Sequence, residues 1–282
     1  MRAEGVWGAV IVAALILALG WSITATGSGP APTALLYFPL VMRPVPPTPT
    51  PTPTATATPL CRPIPGATYG PLSIVGAPSD RPAEAHADLN LALRGYTTAT
   101  GEYVGPLDNC GAVPGDYRAP QLRGLFADRR RPTFLGVYWV YQWNWACNCR
   151  STAVENRWGP SFATLAATPG EVLYVPDSGY RIDAPQDYEV LVLYASPERI
   201  TLKFTREDNV VQGYTLHLED ICVDPNLLAL YQACNAAGRR NLPALRARQP
   251  LGHARGTELG FAIRDAGNWM DPRNCADWWR LP

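Results

Sequence analysis

The chain has little of what common catalytic and nucleic-acid-binding proteins require. Its 282 residues include only three histidines, and 24 basic side chains balance 24 acidic ones, so the formal net charge is zero. A neutral chain signals no basic face for a phosphate backbone, which argues against nucleic acid as a partner. No Gly-x-Ser-x-Gly turn, phosphate-binding loop, dinucleotide motif or internal repeat occurs. These absences disfavour the familiar nucleotide-dependent and serine-hydrolase classes.

The first 60 residues differ in composition from the rest. Residues 6–23 form an uncharged apolar run of 18 residues, long enough to span a membrane. We predict a signal anchor in residues 1–25, with a cleaved signal peptide as the alternative. Residues 26–60 are rich in proline and threonine, which predicts an extended linker without helix or sheet. We therefore expect the remainder on the extracytoplasmic side of the cell membrane, held by a single N-terminal anchor, or secreted.

Residues 61–282 have a globular composition and mostly alternate at strand period. Two segments favour helices instead, residues 80–95 and residues 224–238. In the second, Asp224 is placed as N-cap, Pro225 at the first helical position and Gly238 at the end. We predict a mainly β fold, an antiparallel β-barrel-like or sandwich domain with one or two helices. An aromatic-rich β segment, 61–157, precedes a second β region, 158–282.

One long strand pattern, within residues 132–149, carries many aromatic side chains. Its alternation places on one side Leu135, Val137, Trp139, Tyr141, Trp143, Trp145, Cys147 and Cys149. We predict that this face is buried under another layer, because aromatic rings supply much of the apolar area of a core. A platform on which sugar rings stack is the alternative.

Seven cysteines in an exported chain predict disulfides. They are Cys61, Cys110, Cys147, Cys149, Cys222, Cys234 and Cys275. On one strand face Cys147 and Cys149 would be about 6.6 Å apart, at the far limit for a bridge, so each is expected to pair elsewhere. Cys222 is a candidate partner for one of them.

Two further disulfides are candidates, Cys234 with Cys275 and Cys61 with Cys110. The odd number of cysteines leaves one thiol free or intermolecular. A zinc site formed by the Cys-x-Cys pair, Cys222 and His217 is disfavoured, because structural zinc sites usually contain Cys-x-x-Cys spacing.

Three segments occur in an order that is typical of one enzyme family. They read "TLAATPGEVLYVPDSG" at 164–179, "GYTLHLEDI" at 213–221 and "GTELGFAIRDAGNWMDP" at 256–272. Together they resemble the lysostaphin-type zinc endopeptidases, which cut peptide cross-links in bacterial cell walls. The resemblance places His217 at the catalytic histidine of the family's Tyr-Ala-His-Leu strand. It implies a compact antiparallel β core with a groove.

The family's zinc ligands are missing at the matching positions. That family binds zinc through a histidine, an aspartate four residues later and the second histidine of a His-Leu-His strand. This sequence has Pro160, Thr164 and Gly260 there, and Glu258 at the place of a catalytic base. Proline and glycine have no ligand atom in their side chains, and threonine is a poor substitute for a carboxylate. Without zinc no bound water is activated, so we expect no metal, no cofactor and no catalytic residue.

The last segment has two different faces. Leu259, Phe261 and Ile263 are expected in the core, whereas Gly260 leaves the other face open. The resemblance therefore implies a pseudoenzyme whose relic groove contains Pro160, Thr164, His217, Glu258 and Gly260.

Three functional hypotheses follow. The first is a non-catalytic cell-envelope domain that binds peptidoglycan peptide, a glycan or an envelope protein through the relic groove. The second is a zinc-dependent peptidoglycan endopeptidase with a rebuilt site, in which His217 and Glu258 would form an acid–base pair. The third is a purely structural envelope protein.

Overall fold

A single long sheet organises the protein. The computed structural model describes residues 61–280, so the predicted anchor (1–25) and the linker (26–60) lie outside the described residues. The strands are β1 Gly70–Ser73, β2 Tyr96–Thr98, β3 Phe134–Asn144, β4 Cys149–Val154, β5 Phe162–Ala166, β6 Val172–Tyr174, β7 Tyr188–Ser196, β8 Arg199–Lys203, β9 Tyr214–Glu219, β10 Ile221–Val223, β11 Asn241–Arg246, β12 Pro250–Ala254, β13 Glu258–Asp265 and β14 Asn268–Trp269. The α-helices are α1 Pro225–Ala236 and α2 Cys275–Trp278. Within the described residues, no helix has the length and apolar character that crossing a membrane requires.

The sheet is antiparallel and open. Nine of its strands follow the order β1-β11-β7-β8-β9-β13-β5-β3-β2, with β14 paired to β13 and β4 to β3. A second sheet contains β10, β12 and β6. The mainly β, antiparallel fold is therefore confirmed, but the barrel-like closure is wrong, because β1 and β2 end the sheet without pairing to each other. Strands from 61–157 and from 158–282 share this one sheet.

One side of the sheet packs on the main hydrophobic core. Leu259, Phe261 and Ile263 of β13 point there and are fully buried, as their alternation predicts. Leu216 and Leu218 of β9 lie beside them in the same core, which the second sheet, α1 and α2 complete. Burial of large aliphatic and aromatic side chains on this side is the main stabilising contribution that the sequence pattern encodes.

The other side of the sheet is covered by residues 79–95, here called the cover segment. The predicted helix over 80–95 is wrong, because this segment contains only two short 3₁₀ turns, Ala83–Ala85 and Leu91–Leu93. His86, directly after the first turn, is extended with φ −98° and ψ 108°, and residues 87–89 form a separate turn. Hydrogen bonds to the sheet replace helical ones, for example from the Thr201 hydroxyl to the Leu89 carbonyl at 2.7 Å.

The predicted helix over 224–238 is confirmed as α1. The Asp224 side chain accepts a hydrogen bond from the Asn226 amide, and Pro225 occupies the first turn. This N-cap satisfies a backbone donor that the helix itself leaves unpaired. Leu227 and Tyr231 of α1 are buried.

The aromatic strand does not form one continuous buried face, so that prediction is wrong. Val137 is 3% exposed, but Leu135 is 48% and Trp145 44% exposed. The reason is that β3 shifts register at two places in its pairing with β5 and β4, and each bulge turns the following side chains to the other face. Residues 145–148 then form a turn instead of continuing the strand.

Three disulfides connect the chain, and they differ from the expected pairs. They are Cys61–Cys222, Cys110–Cys275 and Cys147–Cys149, and Cys234 is unpaired among the described residues. The expectation that Cys147 and Cys149 pair elsewhere is wrong, because the turn at 145–148 brings their Cα atoms to 5.3 Å. The candidate pairs Cys234–Cys275 and Cys61–Cys110 are also wrong.

A long and a very short disulfide loop are expected to contribute unequally to stability. The Cys61–Cys222 bridge spans 161 residues of sequence and the Cys147–Cys149 bridge only 2. Replacing Cys61 and Cys222 by serine should lower the free energy of unfolding by about 2–5 kcal/mol, because a long loop gains much entropy in the unfolded chain. Replacing Cys147 and Cys149 should cost less than about 2 kcal/mol.

Urea unfolding of the two double variants measures the difference, and non-reducing peptide mapping identifies the pairs. Equal losses of stability, or a peptide that joins Cys147 to Cys222, would contradict the observed connectivity. Cys234→Ser, which removes the unpaired thiol, is the matched control and should leave the three bridges intact.

Candidate functional site

Three of the five predicted groove residues share one face of the sheet. Gly260 of β13 lies directly opposite Thr164 of β5. His217 of β9 belongs to the same face, because Glu219, two residues along β9, is the other partner of Gly260. All three residues are buried.

The other two predicted residues do not join them. Pro160 is buried but precedes β5, four residues before Thr164. Glu258 is exposed at the start of β13. Because Ala262 is the β13 residue opposite His217, Glu258 lies about 13 Å away along the strand. The hypothetical acid–base pair of His217 and Glu258 is therefore not formed.

The expected open face at Gly260 is wrong, because an aromatic ring fills it. A Cβ atom added to Gly260 would overlap the ring carbons of Phe162. Phe162 is fully buried, and Tyr96 stacks on it with ring centroids 4.1 Å apart. Leu91 of the cover segment belongs to the same cluster. Glycine at 260 thus permits a close packing contact and does not leave a groove.

The His217 side chain makes its contacts inside the protein and not with solvent. Its Nδ1 atom is 3.1 Å from the Thr201 hydroxyl, which already donates its only proton to the Leu89 carbonyl. Nδ1 must therefore carry the proton, and Nε2 has no hydrogen-bond partner within residues 61–280. Burial, helped by the positive charge of Arg264, lowers the pKa of His217 to about 3. A neutral imidazole without solvent access cannot exchange protons with a substrate.

An ion cluster lies next to His217 and ties the cover segment to β13. Asp88 accepts hydrogen bonds from Arg94 at 2.7 Å and from Arg264 at 2.8 Å. Glu155 also contacts Arg94, at 3.4 Å. Burial by itself would raise the pKa of Asp88, but Arg264 and Arg94 lower it to about 2. Two cations and two anions thus neutralise one another beneath the cover segment.

A polar cavity of about 230 Å³ opens beside this cluster, where β4 leads to β5 and β13 turns into β14. We call it the Trp158 pocket. Its lining residues are Glu155, Arg157, Trp158, Arg264, Gly267, Asn268 and Trp269. Arg264 and Trp269 connect it to the enclosed face, since Trp269 also stacks on His217 with centroids 5.5 Å apart.

The Trp158 pocket presents several kinds of binding group. Trp158 is 52% exposed, and the Arg157 guanidinium lies 4.9 Å from its ring centroid. Ion pairs nearby involve Arg94 and Arg264, whereas none within residues 61–280 involves Arg157. The buried indole N–H of Trp269 also has no partner there. A cation, a carboxylate and an exposed aromatic ring at one cavity can orient a small polar ligand.

Sequence reasoning missed this pocket. The available signal was Arg157-Trp158 in a loop, since an exposed tryptophan in a connection is more informative than one on a strand. Its partners come from a separate segment that the chain order does not place nearby. In residues 61–280, no three histidine, cysteine, aspartate or glutamate side chains are grouped as a metal site requires. Comparisons with protein-family models, curated proteins and solved structures find no match to this chain.

Because Phe162 packs against Gly260, we predict that alanine substitution is destabilising at Gly260 but not at Gly256. Gly260→Ala should destabilise the fold by about 1–3 kcal/mol, because Phe162 has to leave a well-packed position. Gly256→Ala is the matched control, because a Cβ atom there meets nothing within 4 Å and its φ is not left-handed. Chemical denaturation measures both, and equal stabilities would show that Phe162 does not seal the face.

Proposed function

We propose that residues 61–282 form a non-catalytic, extracytoplasmic binding domain of the cell envelope. Its ligand is the charged end of a short peptide of the cell-wall type, bound in the Trp158 pocket. The main supporting observation is that one cavity is lined by the exposed ring of Trp158, by the carboxylate of Glu155 and by the Arg157 guanidinium, which forms no ion pair within residues 61–280.

The lining groups match such a ligand one by one. The Arg157 guanidinium is suited to a peptide carboxylate through paired hydrogen bonds. Glu155 can accept from an ammonium group, although it shares its charge with Arg94. The ring of Trp158 provides apolar contact, and a cavity of about 230 Å³ has room for about one amino-acid residue.

The cell-envelope assignment rests on two supports. Three disulfides within residues 61–280 suit an oxidising compartment outside the cytoplasm. The resemblance to lysostaphin-type peptidases, carried by the order of three segments, suggests descent from a domain that met wall peptides. We propose a degenerate domain of that type, tethered by the N-terminal segment and the proline-threonine linker.

Catalysis is the weaker hypothesis for this domain. His217 is enclosed and neutral, and Thr164 and Gly260 lie under Phe162 and the cover segment. A working endopeptidase would need a nucleophile and a proton acceptor that reach a substrate. A purely structural role differs from the proposal only by the absence of binding, so a binding experiment separates them.

The experiment uses the purified full-length chain. We expect it to co-sediment with peptidoglycan and to bind a soluble wall-type tetrapeptide with free ends, measured by tryptophan fluorescence. Arg157→Ala and Trp158→Ala should each weaken peptide binding by about tenfold or more, as for an anchoring side chain at an interface. Trp145→Ala is the matched control, because Trp145 is 44% exposed on a different hairpin.

The other outcomes decide against the proposal. Binding of chitin oligosaccharides without binding of the peptide would assign a glycan as the ligand. No binding to either would favour the structural role, and a zinc-dependent fall in the turbidity of a peptidoglycan suspension would restore the endopeptidase hypothesis. Equal losses for Trp158→Ala and Trp145→Ala would exclude the pocket as the binding site.

A further inference from the structure

A bulge in β7 turns one glutamate away from the regular strand pattern. In the pairing of β7 with β11, Val190 lies opposite Leu245 and Tyr188 opposite Arg246, so Glu189 is an extra residue. Such a bulge breaks the alternation of faces and redirects a side chain, and bulges are frequent beside functional sites.

The redirected side chain is buried without a full set of partners. Glu189 is 4% exposed, and its Oε1 atom has no hydrogen-bond partner in residues 61–280. A buried carboxyl oxygen without a donor is destabilising, and native proteins keep few of them. This oxygen is therefore available to a hydrogen-bond donor from outside the chain.

The side chain lines a cavity of about 420 Å³, which we call the Glu189 pocket. The other lining residues are Ser178, Gly179, Tyr180, Arg181, Asp187, Tyr188 and Ala247. This volume lies in the usual range for small-ligand sites. The pocket is separate from the Trp158 pocket, because β8 and β9 lie between β7 and β13 in the sheet.

Most charges around the pocket are already compensated. Arg181 pairs with Asp187 at 2.7 Å, and Asp177 pairs with Arg129 at 3.1 Å. The phenol of Tyr180 donates to Asp116 at 2.8 Å.

The guanidinium groups of two further arginines lie over aromatic rings that line the pocket. Arg118 lies over the Tyr180 ring and Arg246 over the Tyr188 ring, each 4.8 Å from the centroid. Glu189 has no such cationic partner among the described residues, so the complement that the pocket lacks is a positively charged hydrogen-bond donor.

We propose that the Glu189 pocket binds the primary ammonium group of a small ligand, with Oε1 of Glu189 as the acceptor. The ammonium N–H donates the missing hydrogen bond and its charge pairs with the carboxylate. The methylene groups next to the nitrogen would contact Tyr180, Tyr188 and Ala247 at the wall. This binding is independent of the peptide proposed for the Trp158 pocket.

The protonation state of the Glu189 carboxyl determines how the affinity for an ammonium ligand depends on pH. Burial raises the pKa of Glu189 to about 7, the hydroxyl and amide of nearby Ser178 oppose the shift, and the negative charges of Asp177 and Asp187 support it. Because this pKa is raised, the protonated form prevails below about pH 7 and cannot pair with an ammonium group. Affinity for an alkylammonium ion should therefore rise about tenfold from pH 6 to pH 8, as the ionised fraction does.

The probe is butylammonium chloride, added to the full-length chain labelled with ¹³C in its glutamate carboxyl groups. We expect the Glu189 carboxyl resonance to titrate near pH 7 without the probe and at lower pH with it. Tetramethylammonium, which has no N–H donor, and butyrate, which has the opposite charge, should bind at least about tenfold more weakly.

Two variants keep the test decisive. Glu189→Gln removes the charge with little change of shape and should reduce butylammonium affinity at pH 8 by about tenfold or more. Ala247→Trp leaves Glu189 in place and obstructs the pocket from the exposed Ala247 position, so it should also abolish binding. Glu198→Gln, in the turn between β7 and β8 at the far end of β7, is the matched control.

Unchanged affinity in Glu189→Gln, or equal binding of butylammonium and tetramethylammonium, would overturn the proposal. Absence of any butylammonium binding at pH 8 would overturn it as well. If Glu189→Gln does not fold, the Ala247→Trp result decides. Binding of the wall-type peptide at the Trp158 pocket should be unaffected by either variant, so the two proposals fail separately.

Discussion

The contact of Asp88 with Arg94 and Arg264 holds the rest of the site in place. Both arginines are almost fully buried, and each reaches Asp88 within 2.8 Å. Removing Asp88 would leave two buried cations without their shared partner, which is far more costly than losing an exposed ion pair. Because Arg264 belongs to β13 and the other two residues to the cover segment, this contact keeps the polar face of the sheet closed.

Closure of that face determines what the domain can do. His217, Thr164 and Gly260 lie together, but inside the protein, where Phe162 and the cover segment exclude a substrate. Groups that a ligand can reach lie in the two pockets instead: within residues 61–280 the Arg157 guanidinium forms no ion pair and Glu189 Oε1 has no hydrogen-bond partner. The proposed relic face and the proposed binding pockets can therefore coexist on one sheet, because they are formed by different residues.

The sequence predicted those elements that depend on interactions between residues close together in the chain. The α1 helix follows from Asp224 and Pro225 at its start, and the core side of β13 follows from strict alternation. Residues 80–95 also favour a helix locally, but contacts such as the hydrogen bond from Thr201 on a distant strand to Leu89 override that preference. The Cys147–Cys149 bridge depends on a turn that the alternating sequence does not reveal. The pocket residues come from separate segments, so only the fold brings them together.

The closed polar face is tested most directly by the protonation of His217. In the full-length chain labelled with ¹³C and ¹⁵N in its histidines, with His217→Gln for assignment, the His217 signals should show the proton on Nδ1. They should stay unchanged from pH 8 to about pH 4.5, because burial lowers the pKa to about 3. In urea the same residue should titrate near its ordinary pKa of about 6.5. Titration near pH 6.5 in the folded chain would show that the face is open to water and would contradict the account.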